Sequence, residues 1–415
     1  MIVGAEETKM TESYDRLFNY LKNLAVFNTH SHHYPQDQQT GMDLMKMLRS
    51  TYLKDDIRDG KTNREVMKDF NERMKYNSYF LWLEKALQDL YGIKKPLDIE
   101  NIEETNQAIQ TAYKNPGYHI EVLEKKCCYR YMLVDAYWNP GGTEPVSDIF
   151  LPVYRINMYL YGYSRTTADH NGNNPYRFNH WEEVADLDEY IGLMHEELKK
   201  QIHRGCVALK CAAAYDRGLD FKNTKKEDAE KAFYSGMISG VITKKEIDDF
   251  QNYVFYDICA FAAKHQIPLQ CHTGLGLLRK TSAIYLQDAI SDNPDTKFVL
   301  FHGNYPWMDD LCGLVCTYRN VYVDFCWLPI ISTAEAGKFL EKILSVGDLS
   351  KIYWGCDTWI SEDSYGALLA MRHVLCSFLD QQIEQGIMQY QDAVNICQKI
   401  MYQNAIQLYI DKSVF

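Results

Sequence analysis

The sequence predicts an α/β protein of the (β/α)8 type, a single TIM barrel with helical insertions. Three observations predict it. Eight short apolar runs alternate with amphipathic stretches. Several of those runs stop at His, Lys or Asp, as barrel strands do where they reach an active-site face. The length, 415 residues, suits one elaborated barrel. Strands that alternate with helices imply a parallel sheet, whose strands are buried on both faces and so read as apolar runs.

The elements follow in order. Residues 10–23 predict a short leading helix, and LAVFNTHSHH (24–33) a first strand that ends in ligand-type side chains. Residues 41–115 carry helical spacing in MDLMKMLRSTYL and SYFLWLEKALQDLYGI and read as a helical insertion, a cap over the barrel mouth. The turn KNPGYH (114–119) ends it. Seven further strands are expected within 127–138, 150–157, 206–213, 268–273, 297–303, 320–327 and 351–358. His272 and His302 stand 30 residues apart, one βα unit; Lys210 and His272 stand 62 apart, and the charged stretch 221–250 accounts for the excess as a second insertion. Helices at 365–385 and 388–411 close the chain, and no linker divides it, so 1–415 reads as one domain.

Composition narrows the function classes. With 46% hydrophobic and 24% charged residues, the chain can bury a large core and is not globally disordered. A net charge of -12 without a dense basic run argues against a nucleic-acid partner. The N-terminus lacks the basic-then-apolar pattern of a signal peptide, and no apolar run approaches the length of about eighteen residues that spans a membrane. Twelve cysteines without a C-x-x-C pair point to reduced thiols in a cytoplasm rather than to a zinc ribbon or redox motif. A homo-oligomer is compatible with the chain, with no interface legible in it.

The chemistry-bearing residues gather at strand ends. His30 and His32, two apart in a strand, point to the same side and can converge on one ion, while His33 faces away. An H-x-H pair alone is a weak signal. It is joined by His272, His302 and Asp357, each at the end of an apolar run, and together they form a metal-ligand set of a usual type. Lys210 ends another strand, where an unpaired ammonium is costly to bury, and reads as a substrate-binding cation or a salt-bridge partner. Arg155, among apolar neighbours, pairs with a carboxylate or reaches a substrate anion. Arg217 reads as a loop cation, either solvated or holding a substrate carboxylate. Trp138, Trp327 and Trp359 fall at strand ends, with Trp327 a candidate for the substrate pocket, although packing is the default role of such rings. The remaining histidines, His170 among them, read as surface or structural residues, and Glu362 as a support behind the site.

The order His-x-His, Lys, His, His, Asp on strands 1, 4, 5, 6 and 8 resembles the amidohydrolase superfamily. LKCAAAYDRGL (209–219), IPLQCHTGLG (267–276), FVLFHGNYPW (298–307), NVYVDFCW (320–327) and KIYWGCDTW (351–359) resemble its amidohydrolase 2 branch, closest to the domain fused to glutamine synthetase-like domains in nodulin-type proteins. The resemblance implies that His30, His32 and Asp357 bind a divalent metal, usually zinc, with one or two ions in the site. It implies that His272 is a further ligand or serves a second metal, that His302 binds a second metal or contacts substrate, and that Lys210 can be carboxylated to bridge two metals. Asn28 departs from the pattern, since decarboxylases of the branch commonly place a carboxylate there.

The expected activity is metal-dependent hydrolysis of an amide or ester-like bond in a small molecule. Asp357 would act as general base, and His302 would steady the oxyanion if it is not a ligand. Non-oxidative decarboxylation of a small carboxylic acid is the alternative, and sugar-acid isomerisation is less favoured by the local phrases. A non-catalytic metal-binding barrel predicts a missing ligand, and none is missing.

Overall fold

A computed structural model describes residues 11–57, 60–142 and 147–411. Eight parallel strands run in sequence order: β1 (Val26–Ser31), β2 (Tyr129–Val134), β3 (Phe150–Arg155), β4 (Ala208–Cys211), β5 (Leu269–Cys271), β6 (Phe298–Leu300), β7 (Val321–Asp324) and β8 (Ile352–Tyr353). Each lies inside the segment the sequence assigns to it. The strands are shorter than the apolar runs, and β5, β6 and β8 end before His272, His302 and Asp357.

The ring closes between β8 and β1. The amide of Thr29 donates to the Trp354 carbonyl at 3.2 Å, that of His32 to Thr358 at 2.9 Å, and that of Asp357 to His30 at 3.0 Å. Gly355 permits this approach, because a Cβ there would stand 2.7 Å from the His30 nitrogen. Asn28 braces the same seam. Its Oδ1 accepts from the Cys356 amide at 3.0 Å.

Inside the ring, Phe27, Leu133, Val153, Ala208, Val299 and Tyr353 fill the barrel, and Tyr409 from the C-terminal segment packs against them. The helices form a larger outer core, with buried residues of helices Leu187–His203, Lys244–Lys264 and Ser361–Glu384 facing the strands. Lys244–Lys264 opens with a reciprocal cap between Thr243 and Glu246, which satisfies backbone donors the first turn leaves free.

Helices Leu44–Arg49, Asn63–Arg73, Ser78–Tyr91 and Ile102–Ala112 build a separate core over the strand ends and bury Trp359 and Ile360 from the turn after β8. Tyr52 from this unit donates to the Asp357 carbonyl at 2.8 Å. Helix Lys226–Tyr234 lies in the second charged stretch. All twelve cysteines are free thiols. Among the described residues, no helix is long and apolar enough to cross a membrane.

Candidate metal centre

β1 is buried along its whole length and carries His30, and His32 follows directly after it, its amide held by the Thr358 carbonyl at 2.9 Å. Asp357, in the turn after β8, meets them there: its Oδ1 is 3.6 Å from His30 Nε2 and 3.1 Å from His32 Nε2. The hydrogens on these rings follow from their outer partners. The Gln270 amide nitrogen donates to the Thr29 carbonyl and the Tyr409 hydroxyl, so its oxygen is left to accept from His30 Nδ1 at 3.2 Å. His32 Nδ1 faces the Asp135 carbonyl at 2.7 Å and must donate to it. Both Nε2 atoms therefore present lone pairs to a carboxylate oxygen that is buried without a hydrogen-bond partner.

Three acceptors converging without a hydrogen between them repel one another unless a cation joins them. Donor atoms about 3 Å apart are what metal bonds of about 2.1 Å near a right angle produce. The residues present fit a divalent ion. Burial, with the charge of Lys210 next, pushes the His30 imidazole well below its ordinary value, which keeps it neutral and able to ligate.

A second group lies beside the first. His302 and Cys326 bring ligand-type atoms within 4.8 Å of Asp357. His302 Nδ1 donates to the Cys326 carbonyl at 2.8 Å, which leaves its Nε2 facing His272 Nδ1 at 2.9 Å. His272 Nε2 in turn donates to the Leu275 carbonyl. Burial lowers His302 to about 4 and His272 well below its ordinary value, so both rings are neutral and two lone pairs face each other. A cation beside them would relieve that contact. His272, expected in the first ligand set, instead joins His302, while Cys326 takes a place in the second set. Burial raises the Cys326 thiol, which keeps it protonated without a metal.

His302, Trp327 and Asp357 have φ of 64°, 67° and 59°, in the left-handed region. Non-glycine residues occupy it at an energetic cost that surrounding structure must impose. These residues lie just past the ends of β6, β7 and β8.

The cluster opens into a cavity of about 150 Å³. His30, His32, His272 and Asp357 form one part of its lining, and Arg155 and Lys210 another. The Lys210 ammonium lies 3.6 Å from the centre of the Phe301 ring, and its side chain meets no hydrogen-bond acceptor among the described residues. Burial lowers its pKa. Arg155 pairs with Asp135 through Nε at 3.0 Å and Nη2 at 2.6 Å. Trp359 lines the cavity, whereas Trp327 lies behind, stacked on Tyr52 at 4.6 Å and edge-on to His302 at 5.1 Å.

The structure does not bring Arg217 to this cavity. It lines a separate cleft, where its guanidinium donates to Gln251 at 3.0 Å and Asn252 at 3.2 Å. Glu362 is likewise apart, bonded to the hydroxyls of Tyr91 and Tyr113. Sequence reasoning missed Asp135, although it ends an apolar strand as His272 does, and it missed His170, which reaches the rim from the segment after β3.

Comparisons with known proteins agree with this architecture. Residues 216–409 match the family model described as amidohydrolase. Protein fluG of Emericella nidulans is 25% identical over 219 residues, which cover 49% of this chain and 25% of that one. The chain thus spans about a quarter of the length of that curated relative. Uronate isomerase from Thermotoga maritima has a similar fold, with a TM-score of 0.77 at 16% identity over 99% of this chain and 100% of that one. A protein from Lactobacillus casei described as a metal-dependent hydrolase aligns with a TM-score of 0.68 at 16% identity, over 95% of this chain and 97% of that one.

Proposed function

We propose that this amidohydrolase-type barrel is a metal-dependent hydrolase of a small molecule, cleaving an amide or ester-like bond. One observation carries the reading: the bare nitrogens of His30 and His32 converge on an unpartnered oxygen of Asp357. A divalent ion held by these residues, zinc by the family resemblance, would acidify bound water and polarise the scissile carbonyl. Asp357 would accept the water proton and return it to the leaving group. His302, donating to Cys326 and bare at Nε2, would serve a second ion or orient the substrate. Tyr52 fixes the backbone from which Asp357 projects. The free thiols support a cytoplasmic setting.

Decarboxylation is the second reading, favoured by Arg155 and Lys210, cations suited to a carboxylate. Likeness to uronate isomerases concerns the fold and does not choose among reactions. The test is metal content per chain, by plasma mass spectrometry, on protein purified without chelator, for wild type and Lys210→Ala. About two ions falling to one or none in the variant supports a Lys210-bridged pair and hydrolysis. About one ion in both supports a single-metal site with Lys210 facing substrate, and raises decarboxylation to equal standing. Absence of metal in both overturns the reading.

A further inference from the structure

We propose that the cavity binds its substrate through a carboxylate, held by Arg155 and Asn171 with Lys210 close by. This rests on the metal-dependent reading of the same cavity and names the substrate class. The starting point is an incomplete set of partners. Arg155 uses Nε and Nη2 on Asp135, while Nη1 meets only His170 Nε2, at 3.4 Å. Asn171 Nδ2 donates to that same nitrogen at 3.0 Å.

His170 is fixed in this position. Its Nδ1 lies 3.0 Å from Asp216 Oδ1, its backbone amide donates to the same oxygen at 2.7 Å, and Asn157 holds the other oxygen at 2.7 Å. Nδ1 therefore carries the hydrogen, and Nε2 is a neutral acceptor shared by two donors. A guanidinium gains far more from an anion than from a long contact to a neutral ring. The Lys210 ammonium, without an acceptor among the described residues, has the same need.

Aromatic rings border the donors: Tyr137 lies 5.3 Å from the Arg155 guanidinium and Tyr215 lies 5.1 Å from His170.

The test is calorimetric titration of the metal-loaded protein with benzoate, benzamide and inorganic phosphate. Two variants accompany wild type. Arg155→Gln with Asp135→Asn removes both charges of the buried pair together, and Asn171→Ala alters only a rim residue, should the first fail to fold. Benzoate is expected to bind roughly tenfold or more tighter than benzamide, and to lose that margin in the double variant and part of it in Asn171→Ala, with metal content unchanged. Equal affinity for benzoate and benzamide overturns the proposal. So does a preference for benzoate undiminished in whichever variants fold, since the carboxylate would then sit on the metal. Phosphate binding more tightly than benzoate also overturns it. Wild-type protein that takes up no metal sinks the hydrolase reading instead, and benzoate binding by that chain reports on the carboxylate site alone.

Discussion

Replacing Gln270 with methionine should weaken metal binding while leaving every proposed ligand in place. Gln270 lies on β5 and meets the centre through the 3.2 Å bond in which His30 Nδ1 donates to it. Methionine keeps the volume and removes the acceptor. His30 then loses the partner that places its hydrogen on Nδ1, and the tautomer with Nε2 protonated, which cannot ligate, gains population. Loss of such an outer partner typically costs about 10–100-fold in metal affinity, which is ~1.4–2.8 kcal/mol at ~1.4 kcal/mol per decade. The fold should also lose stability, because the Tyr409 hydroxyl and the Thr29 carbonyl lose the amide that bonds them. A buried polar group left unsatisfied costs about 1–3 kcal/mol. Competition with a chromophoric chelator measures the affinity, and urea unfolding of the metal-free protein measures the stability separately. A variant that folds and binds metal within about twofold of wild type would refute the tautomer argument, because outer-partner losses are about tenfold or more.

Two further predictions follow from the seam and the helix beside it. Gly355→Ala should displace β8 from β1, since its Cβ would lie 2.7 Å from the His30 nitrogen and 2.8 Å from Thr29 Oγ1. The expected loss is about 1–3 kcal/mol of stability, together with weakened metal uptake, read by urea unfolding and metal analysis; unchanged values for both would count against the close fit. Asp363 is buried with Oδ2 unpartnered, and burial, with Glu362 second, raises its carboxyl to about 7. Its folded value lies above the unfolded one, so its contribution to stability is present below about pH 4 and is lost as pH rises through about 7. Asp363→Asn, which keeps the neutral form, should therefore stabilise the protein at pH 8, by roughly 4 kcal/mol at most, and much less at pH 5. Urea unfolding at both pH values checks this, and an equal effect at both would contradict it.

The barrel was legible because each parallel strand is buried on both faces and leaves an apolar run ending in polar residues. His30, His32 and Asp357 were singled out by the same logic, while His33, beyond the end of β1, packs on His119 and Phe150. What the sequence concealed are contacts set by loops. His170 meets Asp216 across 46 residues, and Tyr52 meets Asp357 across 305, and no local periodicity encodes such meetings. Arg217 illustrates the converse. Its place just after a strand suggested the cavity, yet the turn at 213–216 directs it toward helix Lys244–Lys264, whose amides hold it. Asn28 was noted as a departure, and its use in bonding Cys356 became visible only where β1 and β8 meet.

The seam also bears on how the chain reaches its native state. The three groups proposed to grip the ion come from opposite ends of the chain: His30 lies on β1, His32 just after it, and Asp357 follows β8. An ion there would clasp the first strand to the last, so a chain lacking its final strand could not assemble the high-affinity centre. Metal binding would then be linked to closure of the whole ring rather than to one local unit, and free metal would raise global stability in proportion to the logarithm of its concentration. Such a barrel reports its own completion: it acquires chemical competence only when its two ends have met.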